Sequence, residues 1–304
     1  MPATKTRAGP LGLHFFSRST GINVLIEEIS IQADKWSTAP RFVSIALTNA
    51  CDLECGYCYA PKHRAHLSPQ SIIRWARQLD EHGCFGVGFG GGEPTLFPQL
   101  VQLCSDLNDE TTLAITMTTH GHWAKDDLPD RLSGLIHFVR VSMDGVHATY
   151  ERLRGRPFAS FLSHLARIKT VAPFGINYVV NDETIDDLPR AAELAVNQGA
   201  AEFLLLPEVS NGRLSYQSEF LARWIDDNYS RYPLAISVAG VGSMDFPALP
   251  ISDPRGPTFD FLHIDADAQL KTCAFASTGI PLPEQSNIMD SISILRKHSS
   301  LSER

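Results

Sequence analysis

The chain contains no apolar run near the ~20 residues that a helix needs to cross a bilayer, so it is not expected to enter a membrane as a helix. It also lacks a surplus of positive charge. Twenty-six Lys and Arg stand against 34 Asp and Glu, a formal net charge of -8. A nucleic acid duplex is therefore not the expected partner, because a phosphate backbone calls for a basic footprint. No apolar core follows the basic residues 1–10, so no secretory signal is expected and the chain reads as cytoplasmic. Repeats of solenoid period and low-complexity tracts are absent as well. Cysteine is scarce, with six in 304 residues, three of them clustered and Cys84, Cys104 and Cys273 far apart. A chain of this length buries enough core without staples, so a metal or redox site is a better reading than a disulfide framework.

From residue 41 onward, period-two and period-3.6 patterns alternate. Strands are predicted over 42–47, 86–89, 112–118, 137–143, 175–180 and 202–206. Helices are predicted over 68–81, 98–107, 158–171 and 185–198, the first with Ser68 as a plausible N-cap. Such β-then-α units imply an α/β fold of parallel strands joined by crossover helices, either doubly wound or a partial barrel. Residues 22–31 read as a strand or hairpin, 215–229 as a further helix, 234–282 as a Pro-rich region of strands and turns, and 288–297 as a short helix.

The clustered cysteines, Cys51, Cys55 and Cys58, follow the first strand with spacing C-x3-C-x2-C. Thiolates suit Fe–S clusters or zinc. A cubane has four irons and the loop offers three thiolates, which leaves one iron open for a small chelator. The alternative is structural zinc with His63 or His66 as fourth ligand, although C-x3-C-x2-C matches no common structural-zinc spacing. The loop stands at the carboxyl end of a strand, where α/β folds place their active sites.

This loop, with Tyr57 just before the last cysteine, resembles that of the radical S-adenosylmethionine (SAM) superfamily. The resemblance predicts a Gly-Gly-Glu motif after the second strand, and Gly91-Gly92-Glu93-Pro94 stands there. A triple glycine alone would read as a tight turn. In the resembled family this segment holds the amino group of SAM, and the aromatic residue packs near the adenine.

Weaker resemblances follow. Thr118-Thr119-His120-Gly121 is similar to a Thr-Asn-Gly stretch, so His120 is a candidate for SAM or substrate contact or for proton transfer, against a solvated loop histidine. Ser142 lies in a Ser-x-Asp-Gly segment whose serine meets the ribose or carboxylate of SAM. Arg154, in an Arg-Gly element, would fork onto that carboxylate, or else be a surface arginine. Asn177, a polar residue inside a strand, is a candidate ribose or adenine contact, and Glu208, at the end of the sixth strand, a candidate for substrate.

Residues 263–273 resemble the start of the auxiliary-cluster (SPASM/twitch-like) domain of radical SAM peptide maturases. Cys273 has no partner cysteines after it, and a second cluster needs about four thiolates. One [4Fe–4S] cluster is therefore expected, with Cys273 a radical-quenching thiol, a substrate contact or a structural thiol.

The resemblance thus implies a partial (β/α)6 TIM-like barrel over 41–213, with an N-terminal extension over 1–40 and a C-terminal appendage over 214–304. It implies reductive cleavage of SAM to a 5′-deoxyadenosyl radical that abstracts a substrate hydrogen, with a flavodoxin- or ferredoxin-like electron donor. The auxiliary-like stretch favours peptide maturation. A tailoring enzyme for a small molecule or nucleotide, and a non-catalytic metal-binding protein, are the alternatives.

Overall fold

The computed structural model of the chain describes residues 4–210, 213–214, 218–238 and 253–302. At the N-terminus, β1 (Thr4–Gly9), β2 (Gly12–Ser17) and β3 (Asn23–Ile26) form an antiparallel sheet. The main sheet begins with β4 (Phe42–Thr48), followed by α1 (Pro69–Glu81), β5 (Gly86–Gly91), α2 (Leu100–Glu110), β6 (Ala114–Thr119) and the short α3 (Leu128–Leu132). Then come β7 (Phe138–Ser142), α4 (Ala148–Arg154), α5 (Phe158–Ile168), β8 (Phe174–Val180), α6 (Leu188–Gln198) and β9 (Glu202–Pro207). A small hairpin of β10 (Val209–Ser210) and β11 (Arg213–Leu214) leads to α7 (Ser218–Asn228) and β12 (Ala235–Val238). The chain closes with β13 (Phe261–Ile264), β14 (Gln269–Lys271), β15 (Ile280–Pro281) and α8 (Ile288–Ser302).

The six expected strands are present and parallel in the order β9-β8-β7-β6-β5-β4. Two short strands extend the parallel sheet at its edges. β12 pairs with β9, placing Ile236 opposite Phe203, and β13 pairs with β4, placing Ile264 opposite Ile45. From β13 the sheet turns antiparallel through β14 and β15. Among the described residues, no helix is long and apolar enough to cross a membrane.

Alternation sets the two faces of this sheet. Val43, Ile45, Leu47, Val87, Phe89, Ile115, Met117, Val139, Val141, Ile176, Phe203 and Leu205 are buried together with the apolar stripes of the helices. In α1 that stripe is Ile72, Trp75, Ala76 and Leu79, and the helix begins where Ser68, extended, precedes Pro69. The Ser68 hydroxyl turns to Gln70 Oε1 (3.0 Å) rather than capping the helix.

The opposite face carries Phe42, Ser44 and Ala46 on β4, Gly86, Gly88 and Gly90 on β5, and Arg140, Ser142, Asn177 and Glu202 further along. At its amino end the face is filled. The Phe42 ring lies where a Cβ on Gly86 or Gly88 would be, 2.9 and 2.8 Å away, and Arg140 pairs with Glu202 at 2.8 Å. At the carboxyl end the residues are small, and a Cβ built on Gly90 meets nothing within 4 Å. On this face of the described sheet, space for a ligand is thus left at the carboxyl end. There β4 carries a bulge between Ala46 and Thr48 that swings the chain into the cysteine loop.

Candidate active site at the carboxyl ends of the strands

Cys51, Cys55 and Cys58 are free thiols, each half-buried. Backbone and side-chain bonds fix the loop around them. Cys51 Sγ accepts the Leu53 N–H (3.4 Å), and the Cys58 N–H donates to Cys55 O (3.1 Å). Thr48 Oγ1 donates to Ala65 O (3.1 Å) and accepts the Ala50 N–H (3.1 Å), closing the loop at its base. Burial pushes the Cys51 thiol up from its usual range, with Glu93 and Asp52 adding to the effect. A bound cation reverses such a shift by holding the thiolate.

The donor set fits a cluster better than a single ion. One tetrahedral zinc at ~2.3 Å per thiolate gathers its sulfurs within ~4 Å of one another. Among the described residues, neither the three thiols nor any combination of them with His63 or His66 is gathered within 4.8 Å. His63 Nε2 lies instead 2.8 Å from Asp267 on the turn after β13. The one group gathered so closely is Cys51, Asp52 and His120.

The glycine loop approaches from β5. Gly91 has φ +120°, a left-handed conformation that a side chain resists, and a Cβ there would stand 2.2 Å from Thr48 O. A Cβ on Gly92 would stand 2.2 Å from Ala50 O. In their place run two short backbone bonds, Gly92 N–H to Thr48 O (2.8 Å) and Glu93 N–H to Ala50 O (2.7 Å). The glycines thus zip the two loops together, beyond making a turn.

Glu93 is fully buried. Its Oε1 accepts from Thr95 N–H (3.1 Å), Thr95 Oγ1 (2.7 Å) and Thr119 Oγ1 (2.8 Å), and its Oε2 from the His120 N–H (3.0 Å). The carboxylate therefore ties the ends of β5 and β6. Oε2, with one strong donor, keeps acceptor capacity.

His120 is buried, not a solvated loop residue. Its Nδ1 accepts the His122 N–H (2.9 Å), so Nε2 carries the proton and donates to Asp52 Oδ1 (2.8 Å). That bond holds the Asp52 carboxyl below its usual range. Arg156 reaches Asp52 from the other side, at 3.2 Å to the carbonyl and 3.3 Å to Oδ2. The cysteine loop is thereby clasped between β6 and the α4–α5 connection. Behind His120, His122 Nε2 meets the Tyr150 hydroxyl at 2.7 Å.

A third group centres on Asp144, the acidic residue of the Ser-x-Asp-Gly segment. It is fully buried just past β7. Its Oδ1 accepts the Val179 N–H (2.9 Å), and its Oδ2 accepts from the Tyr57 hydroxyl and the Arg154 guanidinium. Arg154 also points an N–H at Cys55 Sγ (3.7 Å) and lies over the Tyr57 ring, 5.8 Å from its centroid. Burial and the Asp144 charge push the Tyr57 phenol far above its ordinary value.

Ser142 and Asn177 are opposite each other across β7 and β8. Asn177 Oδ1 is buried without a hydrogen-bond partner, an orphan acceptor on the ligand-facing side. Asn181, on the turn after β8, donates to Glu208 Oε2 (2.7 Å).

Beside the cysteine loop lies a cavity of about 230 Å³, lined among others by Ala46, Tyr59, Gly91, His263, Lys271 and Phe275. Asp265 and Lys271 pair within it at 2.7 Å. Burial pushes His263 down to about 4, and Ser44 Oγ stands 2.7 Å from its Nδ1. Tyr59 and Phe275, both exposed, contact each other at the rim (4.6 Å between centroids). Cys273 is half-buried. Cys84 and Cys104 are buried core thiols, pushed up to about 11 and about 12 by burial.

Residues 45–195 match the family model described as "Radical SAM superfamily". Among curated relatives, the chain is 28% identical over 214 residues to the sporulation killing factor maturation protein SkfB of Bacillus subtilis, covering 67% of this chain and 51% of SkfB. It is 24% identical over 286 residues to a probable GTP 3',8-cyclase of Saccharolobus islandicus, covering 86% of this chain and 89% of that one. The fold is that of Streptococcus suis SuiB, solved bound to S-adenosylmethionine, at TM-score 0.74 and 13% identity over 95% of this chain and 87% of SuiB. The matched segment starts on β4, ahead of the first cysteine, and ends in α6, so it takes in the cysteine loop, the glycine loop and the Asp144 group alike. On that match, and on a parallel sheet whose carboxyl edge presents three unpaired thiols beside a glycine-zipped acceptor loop, the chain belongs to the radical SAM superfamily, whose enzymes use a [4Fe–4S] cluster and SAM.

Proposed function

We propose that the enzyme acts on a peptide, abstracting one hydrogen atom from a residue seated in the cavity beside the cysteine loop. The observation that carries this reading is the cavity's charge. Among the described residues its one lysine, Lys271, is already neutralised by Asp265, and the rest of the described lining is aromatic, small or neutral. A nucleoside triphosphate calls for several unpaired cations, whereas an amino-acid side chain does not. The kinship with SkfB, named as a maturation protein, supports the same reading.

Cys51, Cys55 and Cys58 would hold one [4Fe–4S] cluster, and Tyr57, Gly91, Gly92, Glu93, Ser142, Arg154 and Asn177 would hold SAM. When bound and reduced, the pair supplies a 5′-deoxyadenosyl radical. Glu93 Oε2 offers its remaining acceptor capacity to the ammonium group. The orphan Asn177 Oδ1 takes a ribose hydroxyl, with Ser142 opposite. Arg154 Nε, buried and without a partner, is the donor left for the carboxylate. Gly90 leaves room for the adenosyl moiety, while Phe42 and the Arg140–Glu202 pair fill the floor. His120 keeps the loop in place through Asp52, and Glu208, held by Asn181, would serve as a substrate contact. Cys273 would be a thiol for quenching a stray radical, and a flavodoxin- or ferredoxin-like protein of the cytoplasm would deliver the electron.

The test is anaerobic reconstitution and reduction with dithionite, following 5′-deoxyadenosine. A short peptide encoded beside the gene is expected to raise its formation and to emerge altered in mass, whereas GTP is not. Turnover of GTP with no effect of the peptide would replace this reading by the nucleotide one. Replacing any of Cys51, Cys55 or Cys58 with Ala is expected to abolish the cluster. Cys273→Ala is expected to leave ~4 irons per chain unchanged, and a parent protein holding about eight would refute the single cluster.

A further inference from the structure

We infer that Arg154, held by Asp144, is a positioning residue that sets the reduction potential of the cluster through Cys55. The inference rests on the cysteine loop holding the cluster and is independent of the substrate.

Arg154 is a costly residue to bury. Its side chain is one-tenth exposed and that of Asp144 is not exposed at all. A buried ion pair of this kind repays its desolvation only with excellent geometry, and apolar packing of the same volume is often as stable. The arrangement around it is directional. Asp144 spends one oxygen on the Val179 N–H and the other on Tyr57 and Arg154. That grip fixes the guanidinium so that one amino nitrogen reaches Asp144 while the other points at Cys55 Sγ, 3.7 Å away. The Tyr57 ring packs beside it. Among the described residues, neither Cys51 nor Cys58 has an arginine donor, and Cys51 accepts a backbone N–H.

A hydrogen bond and a positive charge at a ligating sulfur stabilise the cluster after it gains an electron more than before, so they raise its potential. Asp144 counters part of that charge. The two residues therefore act in opposite directions, and this sets the test apart from simple support of the loop.

The measurement is a redox titration of the reconstituted protein followed by EPR, without SAM, so that any contact of Arg154 with SAM does not enter. Arg154→Gln is expected to shift the midpoint negative by about tenfold in the electron's equilibrium, ~59 mV for one electron, with Arg154→Lys shifting it less. Asp144→Asn, which keeps a carbonyl acceptor for the Val179 N–H, turns its amide nitrogen toward the Tyr57 hydroxyl and removes the countercharge, is expected to shift it positive. Iron content and the cluster absorption spectrum certify that each variant is loaded. An unchanged midpoint in loaded Arg154→Gln would overturn the inference. If that variant loses the cluster, Asp144→Asn decides alone: a positive shift supports the role, and a negative or absent shift overturns it. Loss of SAM cleavage with both midpoints unmoved would leave the proposed SAM contacts standing and this inference refuted.

Discussion

His263 is held neutral by burial, its pKa lowered from 6.5 to about 4, with Lys271 adding to the effect and Asp265 opposing it. The sign of its linkage follows. In the unfolded chain the imidazole binds a proton below ~6.5, while in the folded protein it does not until about 4. Stability from this residue is complete above ~6.5, is lost as the pH falls toward about 4, and changes no further below that. The full effect is at most about 3 kcal/mol. His122, lowered to about 4 by burial and by His120 and His164, acts in the same direction. The Tm of the apoprotein should therefore fall between pH 6.5 and pH 4. His263→Gln, which can keep a hydrogen bond to Ser44, should flatten that fall, and an identical slope in parent and variant would rule the assignment out. Legibility at this scale depended on the partner's distance along the chain. The thiols and Glu93 stand in local motifs and could be read directly. Asp52 and Asp144 could not, because their meaning comes from His120 and Tyr57, 68 and 87 residues away.

At the scale of elements, β5 offers the sharpest contrast. Gly90 and Gly91 at its end, and Gly92 just past it, are adjacent in sequence yet unequal in structure. Gly91→Ala meets both a positive φ and the Thr48 carbonyl, so a loss of ~2 kcal/mol or more is expected in urea unfolding. A Cβ on Gly90 meets open space, so Gly90→Ala should leave the Tm nearly unchanged. If that space receives SAM, the same methyl should weaken SAM binding about tenfold, a cost of ~1–2 kcal/mol for overpacking a filled site, measured by calorimetry. Tight binding in Gly90→Ala would move SAM elsewhere. The sequence showed Gly91 and Gly92 as a motif but could not rank them, because the ranking depends on carbonyls of β4 and its loop. The six central strands were legible because each is an apolar run of five to seven residues, followed in most cases by a helical segment. β12 and β13, four residues each, fall in the stretch read as strands and turns, but their pairing along the edges of β9 and β4 could not be read from so short a run. β1 and β2 escaped notice although Gly9-Pro10-Leu11-Gly12 marks the turn between them.

For the whole molecule, the question is whether the residues after the sixth strand are an attachment or part of the barrel. β13 is hydrogen-bonded alongside β4 from Phe261↔Phe42 to Ile264↔Ile45. Leu262, Ile264 and Leu270 are fully buried in the same core as Val43 and Trp75. Further on, the Ile288 N–H at the start of α8 donates to Gln78 Oε1 on α1 (2.9 Å), and Ile288 and Ile292 are fully buried. Arg296 reaches back to Thr38 O (2.7 Å) and Thr258 O (3.0 Å) and packs over Phe259, 3.5 Å from its ring centroid. Opening β13 would uncover the edge of β4, the strand that delivers the cysteine loop, and would remove one wall of the cavity. Segments that unfold independently exchange their amides ahead of the core, whereas segments of one cooperative unit exchange with it. Hydrogen exchange read by mass spectrometry should therefore find peptides covering residues 261–264 as protected as those covering 42–48, and both should lose protection together as denaturant is added. Earlier exchange in 261–264, with 42–48 still protected, would make the C-terminal region a detachable cover, and the cavity beside the cluster loop a site that opens without unfolding.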